Sequence, residues 1–367
     1  MVSMEELLHL MVQRGGSDLH ISVSSPPRIR VDGRLVATEH ESLTQELAQK
    51  LVYSVLTSDQ IAKFEKHLEL DFSFGVSGLG RFRTNAFYQR GSIAAVLRMI
   101  PFEVYDFEQL GLGRAVCENI CNLPKGLVLV TGATGSGKST TLASMIDYLN
   151  LNREGHIVTI EDPIEFLHRN KKCLVNQREV GSDTGAFTNA LRSVLRQDPD
   201  IVLIGEMRDL ETIEAALTLA ETGHLTFATL HTSDCVQTIN RIVDVFPAHQ
   251  QQQIRTQLSF TLQAVFSQQL LARANGRGRV LAAEVMIVNP AIRALIRDNK
   301  AHQIYSIIQT GGKLGMKTMN QSLFELYRAG TISYEDALEH TGDEADFQRL
   351  MERSGAGAAS VARKPVR

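Results

Sequence analysis

The eight residues Gly132-Ala133-Thr134-Gly135-Ser136-Gly137-Lys138-Ser139 constrain this chain more than any others. They fill every position of the phosphate-binding pattern Gly-x-x-x-x-Gly-Lys-Ser. The apolar run Gly126–Thr131 precedes them, and Thr140–Ile146 follows with apolar residues at helical spacing. A buried strand, a glycine loop and a helix start are the context in which such a loop cradles phosphates on successive backbone N–H groups. In that arrangement Lys138 supplies a point charge to the β/γ-phosphates, and the Ser139 hydroxyl is placed to ligate Mg²⁺. Taken alone, the same run is also a glycine-rich turn that binds nothing, or a site that binds a nucleotide without hydrolysing it.

The chain has 367 residues, which predicts two domains with possible extras, and at 43% hydrophobic and 22% charged it has an ordinary globular composition. A net charge of −3 argues against a dedicated nucleic-acid binder. The four cysteines, Cys117, Cys121, Cys173 and Cys235, form no Cys-x-x-Cys pair, so free buried thiols are expected. The start of the chain shows no signal-peptide pattern, and no apolar run is long enough to span a bilayer. A cytoplasmic protein is the default expectation.

Residues 1–100 read as a small α+β domain. An amphipathic helix at 4–14 is followed by the alternating strand Ser17–Val23, then a hairpin turning at Asp32-Gly33. Two helices are predicted at 43–56 and 58–67, the second capped by Ser58. Three strands follow at 69–76, 81–89 and 92–99. Residues 101–112 look like a linker. From 113 the pattern becomes strand-helix alternation, with strands near 126–131, 156–160, 201–205 and 225–230, which predicts a parallel sheet with covering helices. Past 247 helical patterns dominate, at 248–270, 290–298, 301–309, 318–329 and 333–340, apart from one strand at 280–288. The ATPase-like region is expected to end at 345, with a disordered tail over 346–367.

Three segments downstream of the loop carry chemistry. Thr159–Glu165 ends a predicted strand with Glu161 and Glu165, and carboxylates at strand ends in such a sheet face the ligand crevice. Either could hold Mg²⁺ through water, and either could equally be a solvated loop acid. Asp200–Glu206 is an apolar strand ending in Glu206, as the Walker B element does, with Gly205 where an aspartate commonly ligates the metal. Glu206 is the candidate to orient or deprotonate the attacking water, itself or with Glu161 contacting Mg²⁺ through water. Gly223–Thr232 offers His231 at a strand end, where it could sense the γ-phosphate, and His224 at that strand's start. Arg81 and Arg83 share one face of a strand and Arg98 lies on the next. Such arginines are usually a solvated face.

Together these segments resemble the secretion ATPase superfamily of type II and type IV secretion and type IV pili. The shared stretches are Thr159–Glu165, Gly205-Glu206, Thr222–Thr232, Gly80–Asn85 and Arg241–Pro247. Within that superfamily the chain is similar to the pilus retraction motors. The longer N-terminal region and four-cysteine zinc motif of the assembly motors are not found in these residues. Ala291–Asp298 follows the retraction-linked pattern Ala-Ile-Arg-Asn-Leu-Ile-Arg-Glu, with Ala294 for Asn and Asp298 for Glu.

The resemblance implies an α/β fold: a PAS-like N-terminal domain, then a RecA-like P-loop ATPase domain with a helical C-terminal part. It implies a homohexamer that binds ATP and Mg²⁺ between its domains and acts on an inner-membrane pilus platform protein, at the cytoplasmic face of that membrane. A PilU-like paralogue is a possible partner. Arg81, Arg83 and Arg98 become trans-acting candidates, Glu165 and His224 nucleotide-binding ones, and the 101–112 segment the hinge. The rival readings are an assembly-type or accessory ATPase, an ATP-binding scaffold with negligible turnover, and a nucleic-acid translocase.

Overall fold

The structure, a computed structural model, describes residues 2–31, 33–101 and 103–353. It divides into two compact units, Met1–Glu103 with Glu165–Leu167, and Val104–Ile164 with the residues from His168 on.

In the small unit six strands, β1 (Asp18–Ile21), β2 (Arg28–Val31), β3 (Arg34–Ala37), β4 (Glu69–Val76), β5 (Gly80–Gln89) and β6 (Ser92–Ile100), form one antiparallel sheet in the order β3-β2-β1-β6-β5-β4. Along β5 the alternation is plain. Phe82, Thr84 and Ala86 are buried, while Arg81, Arg83 and Asn85 take the other face. Helices Met4–Gln13, Gln45–Tyr53 and Ser58–His67 complete the unit, and Leu7, Leu8, Met11 and Phe64 from the first and third meet Leu19, Ile29, Phe82 and Leu97 of the sheet in its core. The third helix is capped by Thr57, not Ser58: Thr57 and Gln60 close a reciprocal capping box, which satisfies two N–H groups at once. In the hairpin turn, Asp32 lies outside the described residues.

The large unit holds seven strands, β7 (Gly126–Thr131), β8 (His156–Glu161), β9 (Leu174–Glu179), β10 (Ile201–Ile204), β11 (Leu225–Leu230), β12 (Leu262–Ala272) and β13 (Arg279–Ile287), in the order β13-β12-β7-β11-β10-β8-β9. All neighbours are parallel except β12 and β13. Leu127 and Leu129 of β7 feed one core and Val128 and Val130 the other, on opposite faces of the sheet. Burial on both faces is why these strands are unbroken apolar runs.

Three sequence expectations change here. The predicted helix 248–270 is instead a helix, Gln251–Thr261, followed by β12. Strand β12 lies between β7 and β13 and is buried on both faces, so it shows no alternation that would betray a strand. The expected linker 101–112 is shorter: from Val104 it belongs to the large unit, where Phe107 and Leu112 are buried in the core. The expected tail from 346 begins with a helix, Glu344–Arg353, held by buried Phe347 and Met351 against Leu323, Ile332 and Ala337. Residues 354–367 lie outside the described residues.

Candidate functional site

Strands β7, β11, β10 and β8 run in one direction, so their C-terminal ends open on one edge of the sheet. The register places Leu230 beside Thr131 and Ile204 beside both Ala228 and Ile160. Chain leaving these ends carries Gly132, His231, Gly205-Glu206 and Glu161 respectively.

The loop after β7 is shaped as an anion cradle. A Cβ on Gly132 would lie 2.3 Å from the Gln268 carbonyl oxygen and 2.6 Å from Ser136 Oγ, so only glycine lets the chain turn this tightly. Gly137, at φ +92°, caps the helix Lys138–Asn152 without a side-chain hydrogen bond, which leaves that helix's first N–H groups for a ligand. Ser136 Oγ is buried and has no hydrogen-bond partner among the described residues. An orphaned hydroxyl inside a cradle a methyl group would fill fits a phosphate oxygen. Ala133, Thr134, Gly135 and Ser139 are exposed around it and Thr140 is half-buried.

Lys138 Nζ, at the start of the helix, donates to the carbonyls of Gly132 (2.8 Å) and Ala133 (3.0 Å) and lies 3.4 Å from His231 Nδ1. Burial pushes its pKa down, against the opposing charge of Glu206. His231 Nε2 in turn lies 3.0 Å from Glu206 Oε1. Lysine, histidine and glutamate thus form one string across three strand ends. Glu206 is half-buried and its carboxyl is held below the usual range, by the Arg208 guanidinium first and by His231 after it, against burial.

Glu161 sits at the same edge, 7% exposed, with Oε1 accepting from Thr159 Oγ1 (2.7 Å) and Gln177 Nε2 (3.2 Å). Gly205 has a steric reason in this chain: a Cβ there would press on Glu161 Cα at 3.2 Å and the Ile160 carbonyl at 3.3 Å. Among the described residues no three or more His, Cys, Asp or Glu side chains are grouped to hold a metal by themselves. A bound Mg²⁺ would therefore need the phosphates and water besides Ser139.

Not every candidate of the large unit lies at this edge. His224 sits at the opposite end of β11, where its backbone carbonyl accepts from Gly126 N at the start of β7. Its Nδ1 is within 3.0 Å of the Leu219 carbonyl and 3.2 Å of Thr222 Oγ1, so its contacts tie down the end of the helix Leu210–Glu221. Glu165 falls in the small unit, its Oε1 3.6 Å from Arg83 Nη1. Arg98 lies opposite Arg83 on β6 and its Nε donates to Asp18 at 2.7 Å, while Arg81 Nη2 donates to Ser73 at 2.6 Å.

Two residues of the edge were missed from sequence. Gln268 of β12 donates to Thr141 Oγ1 at 2.8 Å and presents its carbonyl to Gly132, and it was hidden by the helical reading of 248–270. Arg208 forks onto Glu206; a basic residue two positions past a strand-end carboxylate was the available signal. The four cysteines are buried and unpaired, and burial pushes the Cys117 thiol up to about 12.

The profile described as "Type II/IV secretion system protein" matches residues 2–339. The chain belongs to that family. It is 55% identical over 334 residues to the type IV pilus retraction ATPase PilT of Pseudomonas aeruginosa, covering 91% of this chain and 96% of PilT. Against the type IV pilus ATPase PilU of the same organism it is 42% identical over 352 residues, 96% of this chain and 92% of that one. Among solved structures, the pilus retraction motor PilT with bound ADP superimposes with a TM-score of 0.89 at 52% identity, covering 95% of this chain and all of that one. The α/β architecture is thus that of a PilT-like ATPase. No helix among the described residues is long and apolar enough to cross a membrane.

Proposed function

We propose that this chain is an ATP-hydrolysing motor that powers type IV pilus retraction. The observation that carries the reading is the continuous string Lys138–His231–Glu206 beside a phosphate cradle with an orphaned Ser136 hydroxyl. A cradle alone grips phosphates. A carboxylate kept ionised beside it, at the ends of neighbouring strands, supplies the base that hydrolysis needs.

In this reading the backbone from Gly132 to Gly137, with Ser139 and Thr140, binds the phosphates of ATP, and Lys138 leaves its two carbonyl acceptors for the β/γ-phosphates. Ser139 would hold Mg²⁺, with Glu161 or Glu206 reaching it through water, and the ion would screen phosphate charge. Glu206 orients and deprotonates the attacking water, and His231 reports whether the γ-phosphate is present. Arg81, Arg83 and Arg98 are assigned to charge developing at a neighbouring copy's nucleotide. The small unit is read as PAS-like, the large one as RecA-like, and the assembly as a homohexamer at the cytoplasmic face of the inner membrane, working on the pilus platform protein and alongside a PilU-like paralogue. Support comes from the 55% identity to PilT across nearly its whole length.

Phosphate release by the purified chain and by Glu206→Gln tests this. We expect the variant to bind ATP as the parent does and to lose turnover by about 10²–10⁴-fold, the range for removing a general base. Complementation of a retraction-deficient strain should succeed with the parent and fail with Glu206→Gln. Turnover unchanged in Glu206→Gln would remove the assignment. A parent with negligible phosphate release would favour the accessory, PilU-like reading instead.

A further inference from the structure

Glu206 is the group assigned to accept a proton from water, yet both of its oxygens are already occupied. Arg208 Nε lies 2.8 Å from Oε1 and its Nη2 donates to Oε2, also at 2.8 Å. His231 Nε2 lies 3.0 Å from Oε1 as well. A guanidinium in this two-pronged geometry takes the in-plane lone pairs on the side of the carboxylate it faces, and its charge lowers the carboxylate's basicity. A base held in this way is poorly placed to take a proton.

Arg208 itself is held lightly. It belongs to the short segment between β10 and the helix Leu210–Glu221, its side chain is 67% exposed, and among the described residues its hydrogen bonds go only to Glu206. Asp162, exposed just past the end of β8, adds its own negative charge to the field on Arg208. The charged groups around Glu206 are therefore Arg208 on its own segment, His231 past β11, Lys138 at the helix start, and Glu161 at the end of β8.

We propose that Arg208 is a positioning residue that keeps Glu206 silent in the resting chain and frees it when its fork is withdrawn. The proposal rests on the reading of Glu206 as the base. Basal hydrolysis is thereby restrained, and one exposed side chain forked onto one carboxylate is the restraint. Lysine cannot replace it fully, because an ammonium offers a single point of charge where the guanidinium offers a fork.

The test is phosphate release and nucleotide affinity of the full chain carrying Arg208→Ala or Arg208→Lys, beside Glu206→Gln. At pH ~8, Arg208→Ala is expected to raise basal turnover about three- to tenfold, the scale of one exposed but two-pronged ion pair. It should also move the acid limb of the kcat–pH profile to higher pH, because the guanidinium that holds the Glu206 carboxyl down is gone. Arg208→Lys should fall between parent and Ala. Turnover of Arg208→Ala at or below the parent's, with affinity and melting temperature kept, would overturn the restraint. Parent-like turnover in Glu206→Gln would instead strike the underlying reading, so the two failures are separable.

Discussion

The two edges of the parallel sheet are built from similar residues and do different things with them. At the N-terminal edge His224 lies against the Leu219 carbonyl, His156 Nδ1 against the Gln197 carbonyl at 3.0 Å, and Asp200 accepts from the backbone N–H of His156 at 2.8 Å. Each of these three side chains contacts backbone near it. At the C-terminal edge Lys138, His231 and Glu206 contact one another across strand ends, and the Ser136 hydroxyl has no hydrogen-bond partner among the described residues. A buried polar atom without a partner costs about 1–3 kcal/mol, so such a site is stable only as a compromise with a ligand. One edge closes the fold and the other is held open for chemistry.

The largest effect that could break this contrast lies at Lys138. Lys138→Ala should weaken ATP binding at least about 100-fold, since each hydrogen bond between a charged pair is worth about 1.5–3 kcal/mol. Equilibrium titration with a fluorescent ATP analogue measures it. Binding within severalfold of the parent would mean that the loop is not the phosphate site.

The two histidines of β11 sharpen the comparison, being one residue type at the two ends of one strand. His231→Ala should reduce turnover about 10- to 100-fold, the lower end for loss of a group acting beside a base, with the melting temperature nearly unchanged. His224→Ala should do the reverse: turnover within about twofold of the parent, and stability lower by about 1 kcal/mol for the hydrogen bonding lost at the end of Leu210–Glu221. Phosphate release and thermal melts on both variants give the answer. A collapse of turnover in His224→Ala would erase the distinction between the edges.

Much of the C-terminal edge was legible because its residues sit in short local patterns, each a buried strand followed by one or two polar residues. Gly132–Ser139, Glu206 and His231 are of this kind, and parallel register alone lines them up. Residues whose meaning depends on long-range neighbours were not legible. Gln268 reaches Thr141 across 127 positions of sequence, and its strand carries no alternation because both of its faces are covered. His224 misled for the opposite reason: it lies in the same conspicuous segment as His231, and only counting along β11 separates them by the strand's length. The helix Glu344–Arg353 reads as tail from sequence because only Phe347, Leu350 and Met351 among its ten residues are large and apolar.

The smallest effect concerns acid, where fold and site should part company. His168 N–H donates to Gln177 Oε1 at 2.8 Å, and its ring nitrogen Nδ1 is enclosed without a partner. Burial pushes the pKa of His168 down to about 4 from an ordinary 6.5, with Asp147 opposing the shift and Lys171 adding to it. The unfolded chain therefore takes up a proton near 6.5 that the folded chain refuses until about 4, so stability is full above the higher value and drains away as pH falls between them. From about pH 7 to 5.5 the loss is about 1 kcal/mol, or a few degrees in melting temperature. Glu206, held below the usual carboxylate range by Arg208, stays ionised through that window. Melting curves across the window should fall with pH in the parent and flatten in His168→Asn, while the turnover of molecules still folded stays level. A parallel loss of turnover per folded molecule would place the first acid-sensitive proton at the catalytic edge instead.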